Sequence, residues 1–367
     1  MAGKSGKMEN MVREELLKFF SNKKVFVTGN TGFKGSWLSA ILHTLNTEIK
    51  GYALKPEYEN GLFRILEPLK ISTNVFADIR NRDFLLKEIE SFQPNYIFHL
   101  AAQPLVRRSY QIPAETFDVN VTGTANLLEA VSKLKKKITV VVVTTDKVYA
   151  NLEIDLPHKE TDLLGGYDPY SASKACTEFV VNAFRNSFFN PQKYIEHKKK
   201  IVSARAGNVI GGGDWSADRI VPDIVKAFNN NKTVDIRNPE AIRPWQHVIE
   251  PLYGYLLLAG LLHNTENVYA DAYNFGPLPD DHLTVRNLLE IILQNWDGAK
   301  WNDVSQINQP HETKILKLDI ANAITQLGWK PKLNASEAIQ WTMNWYKQPL
   351  TKQSEYTFEQ INNYFAL

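Results

Sequence analysis

The sequence contains only one cysteine, Cys176, among its 367 residues, so it cannot form an internal disulfide bond. A chain of this length without a disulfide fits a reducing compartment, and we expect a cytoplasmic protein. No histidine lies near Cys176 in the sequence, and the residue falls on a helix predicted to pack on a sheet. A small buried residue is therefore the favoured interpretation, rather than a reactive thiol.

The chain also has little net charge and no long apolar run, and each of these absences argues against a class of partner. The formal net charge is only +2, which gives no electrostatic case for binding nucleic acid or an anionic membrane. The N-terminal segment lacks the apolar core of a signal peptide, and the run 253–262 is too short to span a bilayer. The eight histidines are scattered without ligand spacing, so no metal is expected.

Alternating strand and helix patterns fill the first half of the chain. Predicted strands cover 24–28, 47–54, 73–77, 96–100, 138–143 and 201–206, and predicted helices cover 33–45, 82–92, 117–134 and 170–188. This alternation predicts an α/β fold with a doubly wound parallel sheet over residues 23–206, after an N-terminal extension, 1–22. From residue 207 the pattern loosens, which predicts a smaller, irregular C-terminal lobe, 207–367, able to return elements to the sheet.

The first predicted strand is followed by glycines at intervals of three, Gly29, Gly32 and Gly35, directly before an amphipathic helix. Glycine there permits a tight turn and lets the backbone approach a pyrophosphate at the helix N-terminus. A glycine triplet alone is a weak signal, but its position between strand and helix favours a dinucleotide. The turn that we expect to bind the cofactor also includes Thr31, Phe33 and Lys34.

Two later strand ends fit the same site. Leu100, Ala101 and Ala102 are small or apolar residues at a strand end, where the backbone would pass close to a ligand. Asp78 and Ile79 follow the third strand and could meet the adenine, although Asp78 could instead cap the helix that starts near Asn81.

One expected residue is missing from the second strand. It ends in Gly-Tyr-Ala-Leu-Lys55, with no acid to bind an adenosine ribose. Lys34 and Lys55 could even favour a 2′-phosphate, so the local sequence leaves NAD and NADP both open.

The strongest chemical signal is a pair of short segments. Thr144-Thr145-Asp146-Lys147 follows the apolar run 138–143, at the end of a buried parallel strand where open α/β sheets bind their ligands. Tyr170 and Lys174 lie four residues apart, so they share one face of a helix. The first segment could also be an exposed charged turn, and the second a plain amphipathic face. The two together favour a reaction with more than one proton transfer.

These residues resemble a known superfamily. The Gly-x-x-Gly-x-x-Gly turn, the Leu-Ala-Ala strand end, Thr144 and Tyr170-x-x-x-Lys174 are similar to those of the extended short-chain dehydrogenases/reductases, which have a Rossmann domain. Within it, the chain closely resembles the CDP-glucose 4,6-dehydratase family. The most specific stretches begin at Gly29, Ala101, Gly165, Arg205 and Ile242, and the resemblance spans about residues 23–345. Asn30 departs from the histidine expected at its position.

The resemblance implies an NAD-dependent dehydration of a nucleotide-linked glucose in deoxysugar biosynthesis. Tyr170 would take the C4 hydroxyl proton, Lys174 would hold the nicotinamide ribose and lower the tyrosine pKa, and Thr144 would bond the C4 oxygen. Asp146 would protonate the departing C6 hydroxyl. Lys147 stands where related dehydratases carry a glutamate, so it is either the C5 base or an electrostatic aid to the enolate.

The same resemblance implies a nucleotide-sugar substrate held largely by the C-terminal lobe. Arginine pairs bidentately with phosphate, so Arg243 is the first candidate for the diphosphate. The full set of expected substrate residues is Gln103, Asn208, Arg219, Arg237, Arg243 and His311. Related enzymes pair through helices at 117–134 and 170–188, which implies a homodimer or homotetramer.

Three other functions are kept open. A 4,6-dehydratase for UDP-N-acetylglucosamine would also carry the Asp-Lys pair, and one for a GDP- or dTDP-linked sugar would share the fold and the reaction. A 4-epimerase shares the fold but does not need Asp146 and Lys147. A non-catalytic dinucleotide sensor would not need an intact set of Thr144, Asp146, Tyr170 and Lys174.

Overall fold

Seven parallel strands form the central sheet in the computed structural model, which describes residues 5–150, 156–243, 245–265, 270–281, 283–294, 296, 300–305 and 316–367. The strands are β1 (Lys24–Thr28), β2 (Glu48–Ala53), β3 (Thr73–Phe76), β4 (Tyr96–His99), β5 (Ile138–Val143), β6 (Lys199–Ala206) and β11 (Ala272–Phe275). Their order is β3-β2-β1-β4-β5-β6-β11. The predicted doubly wound parallel sheet is confirmed, and its order reverses between β1 and β4, where such sheets bind ligands.

Helices cover both faces of this sheet. In chain order they are α1 (Ser5–Phe20), α2 (Phe33–Thr44), α3 (Leu62–Leu66), α4 (Arg82–Phe92), α5 (Val106–Gln111), α6 (Pro113–Phe117), α7 (Gly123–Lys133), α8 (Pro169–Ser187), α9 (Tyr194–His197), α10 (Ile220–Asn229), α11 (Ile249–Asn264), α12 (Val285–Gln294), α13 (Ala321–Leu327), α14 (Ala335–Tyr346) and α15 (Gln353–Ala366). Helices α4, α7 and α8 share one apolar cluster with the sheet, and α1, α2 and α11 share the other.

β5 shows why the sheet is so well specified by sequence. All six of its residues, Ile-Thr-Val-Val-Val-Val, are buried, as expected for a strand covered on both faces. It pairs with β6 over its whole length and with β4 from Thr139 to Val142. The carboxyl end of this strand therefore has little freedom, and residue 144 starts from a fixed position.

Three two-stranded pairs belong to the second part of the chain. β7 (Val209–Ile210) pairs with β10 (Gln246–His247), β9 (Ile242–Arg243) with β12 (Leu283–Thr284), and β8 (Val234–Ile236) with β13 (Trp301–Asp303). Because β11 joins the edge of the main sheet beside β6, this part of the chain returns to the first. The lobe boundary at residue 207 stays a prediction. In the part of the chain that the structure describes, no helix is long and apolar enough to span a membrane.

The prediction of one continuous helix over 117–134 is wrong. The segment forms α6, then a π-helical turn at Asp118–Thr122, and then α7. At the π turn, Asn120 faces inward and bonds the backbone N–H of Gln103 at 2.8 Å and the Ser173 hydroxyl at 2.8 Å. A π turn is a recognised way to rotate one side chain into a site, and this one ties α7 to α8.

Candidate active site

The turn between β1 and α2 packs its backbone against the end of β4. Gly29 has φ +73°, and a Cβ on it would lie 2.7 Å from the Ala101 amide nitrogen. A Cβ on Gly35 would lie 2.2 Å from the Gly29 carbonyl oxygen. By contrast, a Cβ on Gly32 would meet only that oxygen, at 3.4 Å, so the space beside Gly32 is open. Gly29 and Gly35 thus close the turn, and Gly32 leaves room for a ligand.

The end of β4 is fixed from beneath by Thr28. Its hydroxyl accepts the amide N–H groups of Leu100 and Ala101, each at 3.2 Å, and lies 2.7 Å from His99 Nδ1. Burial lowers the pKa of His99 to about 3, so this histidine is a neutral part of the core. Leu100, Ala101 and the following Ala102 remain partly exposed toward the turn, as a cofactor-binding edge requires.

On the adenosine side, two predicted residues are engaged within the protein. Both carboxylate oxygens of Asp78 accept from Arg80, at 3.0 and 2.7 Å, and this pairing lowers the pKa of Asp78. The cap of α4 is Asn81, which accepts from the Phe84 amide, so the alternative role of Asp78 as that cap is wrong. Ile79 is buried, and a Cβ on Gly123 of α7 would lie 2.6 Å from its side chain.

Asn30 and Thr31 of the β1–α2 turn contact the neighbouring strands β2 and β3 and the residue after β2. Asn30 is buried and donates to the Asn74 side chain at 2.7 Å, while a Cβ on Gly51 would lie 2.2 Å from the Asn30 amide nitrogen. Thr31 donates to the Leu54 carbonyl oxygen at 3.0 Å. Glycine in β2 is therefore required by the packing of Asn30.

In the segment after β5, the side chain of the predicted acid Asp146 is buried in the protein. Asp146 starts a short 3-10 turn, Asp146–Val148, and its side chain is 1 % exposed. Oδ1 accepts from the Thr145 hydroxyl at 2.9 Å and lies 3.6 Å from Lys147 Nζ. Oδ2 is buried and has no hydrogen-bond partner among the described residues.

Helix α8 begins just before the predicted tyrosine. Asp168 caps it by accepting from the Ser171 amide at 3.0 Å, and Pro169 occupies the first turn. Burial raises the pKa of Tyr170 to about 12, while a hydrogen bond with Thr145 and the charge of Arg219 oppose the rise. Burial lowers the pKa of Lys174 to about 8, and its Nζ donates to the Val143 carbonyl oxygen at 2.9 Å.

The hydroxyl that links these two segments is Thr145, not the predicted Thr144. The Thr145 hydroxyl donates to Asp146 at 2.9 Å, and the same side chain interacts with Tyr170 and lowers the tyrosine pKa. The Thr144 hydroxyl instead donates to the buried carboxylate of Glu178 at 2.5 Å. Neighbouring residues of an extended strand point to opposite sides, so only one of these two threonines can face the tyrosine.

Lys34, in the first turn of α2, also interacts with the side chains after β5 and on α8. Burial and the charges of Arg219, Lys174 and Lys147 together lower its pKa to about 7, while the charge of Asp146 opposes the fall. Its neighbour Phe33 packs the other way, toward the C-terminal lobe, where a Cβ on Gly211 would lie 3.1 Å from its ring.

Two of the three predicted substrate arginines, Arg219 and Arg237, contact the acidic loop 214–218. Arg219 donates to the buried Asp214 at 3.1 Å, and Arg237 lies 3.9 Å from Asp218. Arg107 donates to the same Asp218 at 3.2 Å and was missed by the sequence reasoning. A basic residue four positions after Gln103 in the specific stretch from Ala101 was the available signal.

The remaining predicted substrate residues are not gathered with them. The Gln103 side chain bonds Leu105 through both its oxygen and its nitrogen, and also Thr116. Asn208 lies partly exposed between β6 and β7. Arg243 lies on β9, opposite Leu283, and His311 lies outside the described residues. In the described ranges, no group of three or more His, Cys, Asp or Glu is placed to hold a metal.

Comparison with known proteins agrees with this geometry. The family model described as GDP-mannose 4,6 dehydratase matches residues 26–342. A CDP-glucose 4,6-dehydratase of Salmonella typhimurium is 46% identical over 330 residues, which cover 90% of this chain and 92% of that protein.

Solved structures show the same fold at lower identity. A UDP-glucuronic acid 4-epimerase from Bacillus cereus, in complex with UDP-glucuronic acid and NAD, has TM-score 0.73 at 23% identity, covering 89% of this chain and 99% of that one. TunA, an NAD-dependent NDP-hexosamine 5,6-dehydratase involved in tunicamycin biosynthesis, has TM-score 0.73 at 21% identity, covering 90% and 99%. The family match and the 46% identity confirm the predicted extended short-chain dehydrogenase/reductase, and the chain belongs to the GDP-mannose 4,6 dehydratase family of nucleotide-sugar enzymes.

Proposed function

We propose that this protein is a nucleotide-sugar 4,6-dehydratase that converts CDP-D-glucose to CDP-4-dehydro-6-deoxy-D-glucose, with NAD as its cofactor. One observation supports this most strongly: the Thr145 hydroxyl donates to Asp146 at 2.9 Å and its side chain also interacts with Tyr170, so the proposed proton acceptor and proton donor both lie beside one residue at the end of β5. The 46% identity with a CDP-glucose 4,6-dehydratase supports the choice of substrate.

The β1–α2 turn fits a dinucleotide. Gly32 is exposed, lacks a side chain that could fill the turn, and provides no side-chain cap for α2. The first N–H groups of that helix are therefore available to a phosphate. Gly29, Thr31, Gly32, Lys34 and Gly35 would hold the pyrophosphate, and Leu100, Ala101 and Ala102 would border the nicotinamide side. When bound, NAD supplies the acceptor for hydride from C4 and the donor of hydride to C6.

Tyr170 starts the reaction by accepting the C4 hydroxyl proton. Burial holds its pKa at about 12 although Thr145 and the charge of Arg219 oppose the rise, so these two groups are the ones that favour the phenolate. Thr145 is also placed to bond the C4 oxygen, which is the role first expected of Thr144. Lys174, held by the Val143 carbonyl oxygen, keeps a cationic group one helical turn after the phenol.

Dehydration then uses the segment beside it. A ketone at C4 acidifies the C5 proton, which Lys147 removes, while protonated Asp146 gives its proton through Oδ2 to the C6 hydroxyl. The C6 oxygen leaves as water, a C5–C6 double bond forms, and C5 regains a proton when C6 is reduced. Protons balance because, of the two that Tyr170 and Lys147 accept, one returns to C5 and the other reprotonates Asp146, while C4 stays a ketone.

Substrate binding is assigned to the arginines at the lobe junction. Arg107, Arg219 and Arg237 surround the Asp214–Asp218 loop, and Arg243, Asn208, Gln103 and His311 complete the proposed set. A homodimer or homotetramer through α7 and α8 belongs to the same proposal, since Phe179 on α8 is 57 % exposed. A cytoplasmic location fits the single cysteine.

The test is a panel of CDP-, dTDP-, UDP- and GDP-glucose and UDP-N-acetylglucosamine, each incubated with the protein and NAD. We expect CDP-glucose alone to lose one water by mass spectrometry and to give the alkaline absorbance of a 4-keto sugar. Asp146→Asn should abolish water loss, because an amide cannot give the acid proton. Water loss from another sugar only would reject the substrate and keep the reaction. An epimer without water loss, or no turnover of any sugar, would reject the dehydratase.

A further inference from the structure

A buried ion pair lies beside the catalytic segment, and the reaction outlined above does not use it. Arg205 on β6 donates to both carboxylate oxygens of Glu178 on α8, Nε to Oε1 and Nη2 to Oε2, each at 3.0 Å. Both side chains are 5 % exposed. Two ions removed from water pay a desolvation cost that often exceeds their attraction, so stability alone is a weak reason for such a pair.

Arg205 is connected to both ends of the segment that holds the dehydration residues. At one end, Thr144 donates to Glu178 at 2.5 Å, and Glu178 is held by Arg205. At the other end, Arg205 Nη1 donates to the Tyr149 hydroxyl at 2.9 Å. Asp146 and Lys147 lie between these two attachment points, so the segment 144–149 is closed into a loop anchored on one guanidinium.

The opposite side of the cleft is attached to the same points. Tyr170, Lys174 and Glu178 follow one another at intervals of four along a single face of α8. Each contacts a different residue at or just after the end of β5: Tyr170 interacts with Thr145, Lys174 donates to the Val143 carbonyl oxygen, and Glu178 accepts from Thr144. The register between the helix and the strand end is thereby fixed at three places.

The Tyr149 end is itself braced from several directions. Its hydroxyl donates to Asn274 Oδ1 at 2.6 Å, and its ring stacks on His158 at 4.8 Å and lies 5.1 Å from the guanidinium carbon of Arg205. Asn274 donates onward to the His158 carbonyl oxygen at 2.9 Å. The anchor therefore stands on the returning strand β11 as well as on β6.

We propose that Glu178 and Arg205 are positioning residues, which hold the pair Asp146–Lys147 at a fixed distance from the pair Tyr170–Lys174. This inference rests on the proposed function, in which oxidation at C4 and elimination across C5 and C6 take place on one bound sugar. The two pairs then act on neighbouring carbons without release of the substrate. A shift of about 1 Å between them would cost the reaction about a hundredfold.

Two nearly isosteric substitutions test the anchor at its two ends without touching a group assigned to the chemistry. Thr144→Val removes the donor to Glu178, and Tyr149→Phe removes the acceptor for Arg205. Matched control residues lie at the opposite, amino-terminal ends of the central strands β4 and β5. Thr139→Val loses a contact of 3.0 Å with His263 at the start of β5, and Tyr96→Phe loses a bond of 3.1 Å to the Phe19 carbonyl oxygen.

We expect kcat for water loss to fall about tenfold to a hundredfold in Thr144→Val and Tyr149→Phe, with KM within about twofold of the parent. Both controls should lose a similar amount of thermal stability and keep the parent kcat. Thr144→Ser, which restores a hydroxyl, should recover most of the lost rate. Equal kcat in anchor and control variants, or no recovery with serine, would overturn the proposal.

A second readout needs no substrate and separates this proposal from the proposed function. Amide hydrogen exchange of the segment 144–149, followed by mass spectrometry, should speed up in Thr144→Val and Tyr149→Phe and stay at the parent rate in the controls. If the parent protein turns over no nucleotide sugar, the proposed function fails, and this exchange pattern still decides whether the anchor holds the segment. Unchanged exchange in the two anchor variants would reject it.

Discussion

At the scale of single residues, two lysines lie beside Asp146, and the fold treats them differently. Lys147 Nζ is 3.6 Å from Asp146 Oδ1, and its side chain is 30 % exposed. Lys34 has its pKa lowered to about 7 by burial and by the nearby cations, so much of it is neutral near pH 7. A neutral amine is what C5 proton removal requires. Lys147 is favoured as the base by its position beside Asp146, whereas Lys34 is favoured as the base by its lowered pKa.

Two methionine variants decide between them. In Lys147→Met, incorporation of solvent deuterium at C5 should fall at least about a hundredfold, the usual contribution of a general base. In Lys34→Met, which removes a cation from the N-terminus of α2, NAD should bind at least about tenfold more weakly, with deuterium incorporation retained at saturating cofactor. Mass spectrometry of the sugar after incubation in D₂O measures the first, and calorimetry the second. Normal incorporation in Lys147→Met with loss in Lys34→Met would transfer the base to Lys34.

Sequence reasoning at this scale could use only what lies close in the chain. Helical spacing puts Tyr170 and Lys174 on one face, a strand end gives the position of Asp146, and all three stay proposed catalytic residues. The sequence could not show what a side chain faces when a distant residue decides it. Thr144 was chosen over Thr145, yet Glu178, which binds Thr144, lies 34 residues away. Gln103 and Asp78 stay predicted ligand contacts, and within the protein their polar atoms bond Thr116 and Arg80.

At the scale of elements, the β1–α2 turn separates the needs of the fold from those of the cofactor. Gly29 and Gly35 have no room for a Cβ because backbone atoms lie at 2.7 and 2.2 Å, whereas the space around Gly32 is open. The three glycines look alike in the sequence. Only the first and third are required by the fold, and the second is the one a phosphate would approach.

Alanine at each position should therefore give two different results. Gly32→Ala should change the free energy of unfolding by less than about 0.5 kcal/mol, yet weaken NAD binding at least about tenfold, since the new methyl occupies the phosphate side. Gly29→Ala should cost more than about 1 kcal/mol, because alanine is strained at φ +73°. Urea unfolding and NAD titration measure the two effects. Strong NAD binding by Gly32→Ala would place the pyrophosphate elsewhere.

The strands and helices also show where sequence patterns no longer predict the secondary structure. The six central strands were predictable because each is a short apolar run followed by a turn, and β5 matches its predicted bounds, 138–143. The break at Asp118–Thr122 was not, since the amphipathic pattern continues through it. Its cause is the inward bonding of Asn120 to Gln103 and Ser173, which no local pattern reveals.

At the scale of the whole molecule, the second half of the chain closes around α11. This helix is buried along most of its length, and α1 packs on it: Leu16 and Phe20 are fully buried, and a Cβ on Gly260 would lie 2.0 Å from the Phe19 ring. On another side, Glu250 near the start of α11 is the buried acceptor for two chain segments. Its Oε1 accepts the amide of Leu333 at 2.7 Å, and its Oε2 accepts the Tyr364 hydroxyl of α15 at 2.6 Å.

Glu250 should make the stability of the molecule depend on pH. Burial raises its pKa to about 7, against the ordinary 4.5, while the Tyr364 bond opposes the rise. Between these two values the folded protein binds a proton that the unfolded chain releases. Stability is therefore highest below about pH 4.5 with respect to this group, and falls as pH rises to about 7, by up to about 3 kcal/mol.

Substitutions of Glu250 and of Tyr364 should change the pH dependence of the free energy of unfolding in opposite directions. Glu250→Gln removes the titrating group and keeps an acceptor for the Leu333 amide, so the decline between pH 4.5 and 7 should flatten. Tyr364→Phe removes a donor to the carboxylate, so the pKa should rise further and the decline should extend above pH 7. Urea unfolding at constant ionic strength from pH 4.5 to 8 measures both. Parallel slopes in the parent and Glu250→Gln would mean that the carboxylate stays ionised in the fold, and that its three donors outweigh burial.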